Sequence, residues 1–431
     1  MVAPKAKLDS NRPSKSTGKV RRVLDFRFLD PRYGRALPRS MLNPRDKIGT
    51  ANLIMRKTFG RLLTFTSLVF AVLLLAQEPG QVGQHRWTMD AANSWYAHQP
   101  WLVGSNYIPS YAANELEMWQ ADTFDPKRID TELGWAQGLG MNTMRVFLHD
   151  LLWQQDSEGF KKRLDTFLRI CDKHKIRPLF VLFDSCWDPN PHLGPQPKPT
   201  PGVHNSRWVQ SPGAAALQDP SQYPRLEAYV KGVVGAFAHD SRVLGWDIWN
   251  EPDNTNDSSY GKLEPKNKVQ LVLALLPQAF AWARDAHPQQ PLTSGVWHGD
   301  WDNPATLEPM AKEQLDLSDI TSFHNYSVPN NFKAHVKWLQ QYNRPVICTE
   351  YMARGEKSTF EGILPIAKQY KVGAINWGFV QGKTQTYLPW DSWQQPYVYR
   401  SPTVWFHDIF YPNGKPYRPS EVTFIRQMTG R

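Results

Sequence analysis

Eight short apolar runs, enriched in β-branched residues and separated by longer amphipathic stretches, constrain this chain more than any other feature. The runs fall at 102–108, 143–148, 177–183, 243–249, 291–296, 320–324, 345–349 and 373–377. Helical periodicity fills the gaps at 129–139, 159–174, 225–238, 266–286, 305–314, 331–342 and 360–370. Strand then helix, repeated, is the pattern of a parallel sheet with helical crossovers, and eight strands is the number that closes one into a barrel. Asp125-Pro126 supplies an N-cap acid and a first-turn proline for the first helix, and Gly138 and Gly140 end it. An open doubly wound sheet would need a Gly-rich phosphate turn after the first strand, and PSYAANELEMWQ stands there instead. The expected fold class is therefore α/β, a (β/α)8 TIM barrel forming a single catalytic domain over residues 85–431.

Two stretches break the rhythm. The Pro-rich segment 188–223 follows the third strand, where a long loop overhangs the barrel mouth, and residues 383–431 contain the last barrel helix or a substitute for it. No internal repeat and no second core is visible.

The net charge of +10 would point to nucleic acid if it lay on the folded domain. It does not. Residues 1–54 hold 13 Lys or Arg against four Asp, and Arg56, Lys57 and Arg61 add three more cations. Taking that +12 from +10 leaves 62–431 near −2, so a nucleic-acid partner is not expected. Residues 62–76, LLTFTSLVFAVLLLA, form an uncharged run preceded by MRKTFGR, which makes 55–76 a signal peptide or signal anchor. Its length is short of the roughly 20 residues that span a bilayer, which favours cleavage, although Leu74-Leu75-Ala76 is a poor cleavage site. Residues 1–54 then read as a basic, disordered tail or as an over-long start ahead of Met55. The expected location is secreted or periplasmic, with anchoring in the inner membrane by 62–76 as the alternative and the only membrane contact.

The chemistry lies at strand ends, where such barrels place their catalytic groups. The fourth strand runs GWDIWNEP and ends in Asn250-Glu251-Pro252; the seventh runs PVICTEY and ends at Glu350. Alone, an Asn-Glu-Pro is equally a turn. Strands four and seven face each other across a barrel of eight, so both carboxyls reach one pocket. That arrangement serves two-step glycosyl transfer, with one carboxyl attacking the anomeric carbon and the other serving as acid and then base. Arg145 on the second strand needs a buried carboxylate partner, for which Glu350 is the candidate, and it would lower that group's pKa; Asp247 is a structural one. His324 and Tyr326 follow the sixth strand, where a tyrosine hydroxyl can donate to Glu350.

With these residues in view, the stretch from 101 to 380 resembles clan A glycoside hydrolases, and within them family 5, the cellulase and mannanase type. The resemblance implies Glu251 as acid/base, Glu350 as nucleophile, Asn250 on the sugar 2-hydroxyl, Tyr326 orienting the nucleophile and Trp377 flooring the glycone subsite. The start GSNYIPSYAANELEMWQADTFDP looks like mannan-active members, whereas the 188–223 loop and the C-terminal segment depart from the better-known subfamilies.

Eighteen Trp is a high count, and sugar rings stack on aromatic faces. Trp119, Trp153, Trp187, Trp208, Trp297, Trp301 and Trp390 fall at strand ends or in mouth loops, with Trp297, Trp377 and either Trp187 or Trp208 the chosen platforms. His149, His204 and His298 lack metal-ligand spacing, and Cys171, Cys186 and Cys348 form no disulfide or metal pattern; no metal and no cofactor is expected. The reading is a retaining hydrolase of β-linked plant-type polysaccharide or oligosaccharide, β-1,4-glucan or mannan favoured and endo action favoured. A carbohydrate-binding pseudoenzyme and a transglycosylase on the same site are the alternatives. Oligomeric state is not legible.

Overall fold

A computed structural model describes residues 85–431, so the readings of 1–54 and of 55–76 lie outside the described residues. The domain opens with helix α1 (Met89–Ala97), capped by the Thr88 hydroxyl, which accepts from the Ala91 amide at 3.1 Å. There follow β1 (Val103–Asn106), the short α2 (Glu115–Trp119), α3 (Pro126–Gly138), β2 (Thr143–Phe147), α4 (Asp150–Lys173), β3 (Arg177–Asp184), α5 (Ala214–Gln218), α6 (Tyr223–Ala236) and β4 (Gly245–Asn250). The second half holds α7 (Lys268–Asp285), β5 (Leu292–Thr293), α8 (Pro309–Leu317), β6 (Thr321–His324), α9 (Pro329–Gln340), β7 (Val346–Glu350), α10 (Phe360–Gln369), β8 (Gly373–Asn376) and α11 (Pro419–Thr429).

All the ladders are parallel, in the order β5-β4-β3-β2-β1-β8-β7-β6. The seam between β5 and β6 is closed just beyond the short β5. Val296 bridges Phe323, its amide donating to Ser322 at 3.1 Å while the His324 amide donates back to it at 2.9 Å. Strands covered on both faces need apolar residues throughout, which is why these runs read as continuous rather than alternating. At Gly104 a side chain is impossible, since a Cβ would lie 2.0 Å from the Thr143 carbonyl oxygen.

The lower barrel is filled by Leu102, Leu179, Leu244, Ile320, Ile347 and Ile375, against which α1 packs Ala92 and Trp95. Helix α1 was not expected from the sequence. Only Ala92 of its nine residues is buried, so its apolar stripe is too thin to announce itself. Asp125 caps α3 as expected, accepting from the Lys127 and Arg128 amides at 3.0 Å each. The last barrel helix arrives late, as α11. Its Arg426 donates to the Gly138 carbonyl, and a buried ion pair between Arg354 and Glu421, 2.6 Å, ties down its first turn. Among the described residues, no helix is long and apolar enough to cross a membrane.

Candidate active site

The polar interior of the upper barrel is organised by one guanidinium. Arg145 on β2 donates from Nε to Asp247 Oδ2 (2.9 Å), from Nη1 to Glu350 Oε1 (2.7 Å) and Asn106 Oδ1 (3.0 Å), and from Nη2 to Asn250 Oδ1 (2.8 Å). It has no exposed surface, so its role is to align the side chains around it. A buried charge survives only with such partners. Asn250 is held at its other end, donating from Nδ2 to Asp184 Oδ1 at 2.9 Å.

Glu350 is the last residue of β7 and 4% exposed. Its Oε2 accepts from the Tyr326 hydroxyl at 2.6 Å. Burial pushes Tyr326 well above its usual pKa, so it remains a donor. Glu251 follows β4 with φ +42, a left-handed conformation that costs a non-glycine residue roughly 1–2 kcal/mol. Its Oε2 accepts from Asn254 Nδ2 at 2.7 Å and from the Cys186 thiol at 3.4 Å. His324 is 3% exposed and sits between the two carboxyls, Nδ1 lying 2.9 Å from Glu251 Oε1 and 3.5 Å from Glu350 Oε2. Burial lowers its pKa to about 4, so the ring is neutral at neutral pH.

Burial raises the pKa of both glutamates. On Glu350 burial outweighs the opposing pull of Arg145 and Tyr326, so Arg145 lowers the pKa as expected without bringing it below the usual value. On Glu251 the opposing groups are Asn254, then Cys186 and Arg145. The ionic donor Arg145 contacts Glu350 directly, and this contact favours the charged form of Glu350.

One ligand atom each from Glu251, His324 and Glu350 lie within 4.8 Å of one another, a spacing that would admit a small cation. The Arg145 guanidinium, 2.7 Å from Glu350 and shared with Asp247, occupies one Glu350 oxygen and opposes a second positive charge there.

These groups open into a cleft of about 880 Å3, its mouth included, lined by Trp187, Trp208, Trp297, Trp377, Trp390 and Trp393 among others. Trp377 lines the same cleft as Glu350, Tyr326 and Asn250. Trp297 also lines the cleft, its indole N–H held by Asp253 at 2.6 Å. Trp208 reaches the wall but is 2% exposed, packing edge-on against Trp377 and donating to Asp184 at 2.7 Å; it supports the platform more than it forms one. Trp119 and Trp301 are core residues, fully covered, and not at the mouth as expected. His149 caps α4, and His298 pairs with Asp253. Cys186, Asn205, Asn254 and Trp393 were not anticipated. They come from loops after β3, β4 and β8, where the sequence carries no periodicity to place them.

A family model described as Cellulase (glycosyl hydrolase family 5) matches residues 201–394. Among curated proteins none matches this sequence. Solved structures do. The exo-β-1,4-mannosidase Op5Man5 from Opitutaceae bacterium strain TAV5 is 19% identical, with a TM-score of 0.49; the match covers 76% of this chain and 59% of that one, so this chain spans about three fifths of its length. GH5_18 from Streptomyces cattleya, in complex with GlcNAc, is 13% identical over 77% of this chain and 80% of that one, with a TM-score of 0.51. A variant of it in complex with Manb1-4GlcNAc gives 12% identity over 76% and 80%, with a TM-score of 0.52. The two Streptomyces structures share the barrel fold.

Proposed function

We propose that this clan A, family 5-like glycoside hydrolase is a retaining β-glycosidase in which Glu350 is the nucleophile and Glu251 the acid/base. The observation that carries the reading is the meeting of the two carboxyls, with oxygens within 4.8 Å of each other, at the ends of β4 and β7. Retaining enzymes hold such a pair roughly 5–5.5 Å apart, whereas inverting ones leave room for a water between.

In the first step a Glu350 oxygen forms a bond to the anomeric carbon, the glycosidic bond breaks, and the Glu251 proton passes to the leaving oxygen. In the second, water loses a proton to Glu251 and attacks the same carbon, and the ester bond breaks to restore the Glu350 carboxylate. Tyr326 and Arg145 hold Glu350 ionised and aimed, Asn250 stands where the 2-hydroxyl would lie, and Trp377 floors the sugar. The substrate class is β-linked plant-type polysaccharide or oligosaccharide, β-1,4-mannan or glucan. The likeness of residues 104–126 to mannan-active sequences favours mannan. The basic and apolar pattern of 55–76 supports export, to the medium or periplasm or to an inner-membrane anchor.

The test is sugar release from mannan, glucan, xylan and xyloglucan by the wild type, Glu350→Ala and Glu251→Ala. The expected result is activity on one polymer that falls about 10^3-fold or more in both variants, as loss of a unit-acting catalytic group does. Undiminished activity in either variant would remove that residue from its role.

A further inference from the structure

Two of the segments that line the cleft, the loop after β3 and the chain after β8, are tied to each other. Strands β1 and β2 lie between β8 and β3, so a polymer running past Trp377 on the glycone side has to cross above them. That sector is filled by protein. The loop after β3 and the segment after β8 meet there: the Asn205 amide donates to the Thr384 carbonyl at 2.7 Å, the His204 amide to Ser392 Oγ at 2.9 Å and the Tyr397 amide to Gly202 at 2.8 Å. Gln385 Nε2 adds bonds to the Thr200 and Val203 carbonyls. The loop after β1 joins the seal, since the Lys383 amide donates to Ser110 and Gly382 packs so closely that a Cβ would lie 2.5 Å from the Ser110 Cα. On the opposite side, beyond Glu251, the chain after Trp297 is exposed through residues 298–300.

One residue of the seal faces the cleft with nothing to bind. Asn205 is 1% exposed and lines the cleft, yet neither Nδ2 nor Oδ1 has a hydrogen-bond partner. Trp393, which also lines the cleft, likewise has an unpaired indole N–H. A buried amide left without partners costs free energy unless a ligand supplies them. An Asn amide offers a donor and an acceptor side by side, the complement of two neighbouring sugar hydroxyls.

Resting on the two-carboxylate reading above, we propose that the glycone side of this cleft holds a single sugar, so that the enzyme removes terminal residues one at a time from the non-reducing end. Asn205 binds the hydroxyls of that sugar. The seal stops the chain beyond the ring over Trp377, and the leaving portion exits past Glu251 towards the open side. This replaces the endo action favoured from sequence.

The experiment uses the full chain with β-1,4-linked mannose and glucose pentasaccharides labelled at the reducing end, and with the aryl β-mannoside and β-glucoside. The expected first products are monosaccharide and the labelled tetrasaccharide. Labelled di- or trisaccharide at the earliest times would overturn the proposal. Aryl-glycoside cleavage that depends on Glu350 would leave the catalytic reading standing in that case, whereas no Glu350-dependent cleavage of any substrate would remove both. Asn205 is tested by Asn205→Gly, because glycine tolerates its φ of +46 and keeps its backbone bonds. It should lower kcat/KM roughly 10- to 100-fold on the aryl glycoside, and by much less on the deoxy analogue lacking the hydroxyl it binds. An equal loss on every analogue would assign Asn205 to structure only.

Discussion

Tyr326 and Glu350 show how single contacts set the working pH. Since burial raises both glutamates above the ordinary carboxylate value of 4.5, both limbs of the pH profile should lie above it. In the proposed roles, the acid limb belongs to Glu350, which acts ionised, and the alkaline limb to Glu251, which acts protonated. The Tyr326 hydroxyl stabilises the charged form of Glu350, so Tyr326→Phe removes a group that lowers its pKa. The acid limb of kcat/KM should then move to higher pH, with a fall of roughly 10- to 100-fold at the optimum. A pH-rate profile whose acid limb stays in place would show that the hydroxyl serves packing alone. Positions at this scale were legible where a strand carries a residue to the rim: Glu251, Glu350, Asn250 and Tyr326 all stand at or just beyond the ends of β4, β6 and β7. Cys186 and Asn205 were not, because their positions depend on contacts with chain far away in sequence.

Among the elements, the strands were easiest to read and the late C-terminal helix hardest. A parallel strand buried on both faces has one composition, so every one of the eight runs corresponds to a strand, even the two-residue β5. Helix α11 gives no such signal: Val422 and Ile425 are its only buried apolar residues, and an ion pair does part of the holding. Arg354 is 6% exposed and Glu421 2%, and the guanidinium also donates to the Trp405 and Asp408 carbonyls at 2.9 and 3.1 Å. Removing Arg354 leaves the buried Glu421 carboxylate with only the half-exposed Arg418, 3.2 Å away, to offset its charge. Arg354→Met should therefore cost about 3–5 kcal/mol in denaturant unfolding, far above the cost of a surface pair. A loss under about 1 kcal/mol would mean that α11 is held by its apolar face and by Arg426 and Thr429 instead.

At the scale of the whole molecule, the division of labour in a (β/α)8 barrel explains why so much could be read and where reading stopped. The lower barrel, with its aliphatic layer closed by α1, holds the structure together, while the proposed catalytic pair sits on the upper rim. Fold and catalytic pair are both tied to strand positions, and strand positions are written in local composition. The shape of the cleft is written in no local pattern; it arises where the loop after β3 meets residues 383–397. The central claim, that Glu350 attacks the sugar, is tested most directly by trapping the intermediate. Incubation with an activated 2-deoxy-2-fluoro β-glycoside of the preferred sugar slows both steps, the second more than the first, so the ester accumulates. The account predicts that intact-protein mass rises by one fluoroglycosyl unit, that the modified peptide carries it on Glu350, and that Glu350→Ala acquires none. An adduct on another residue, or release of the α-anomer as first product, would contradict it.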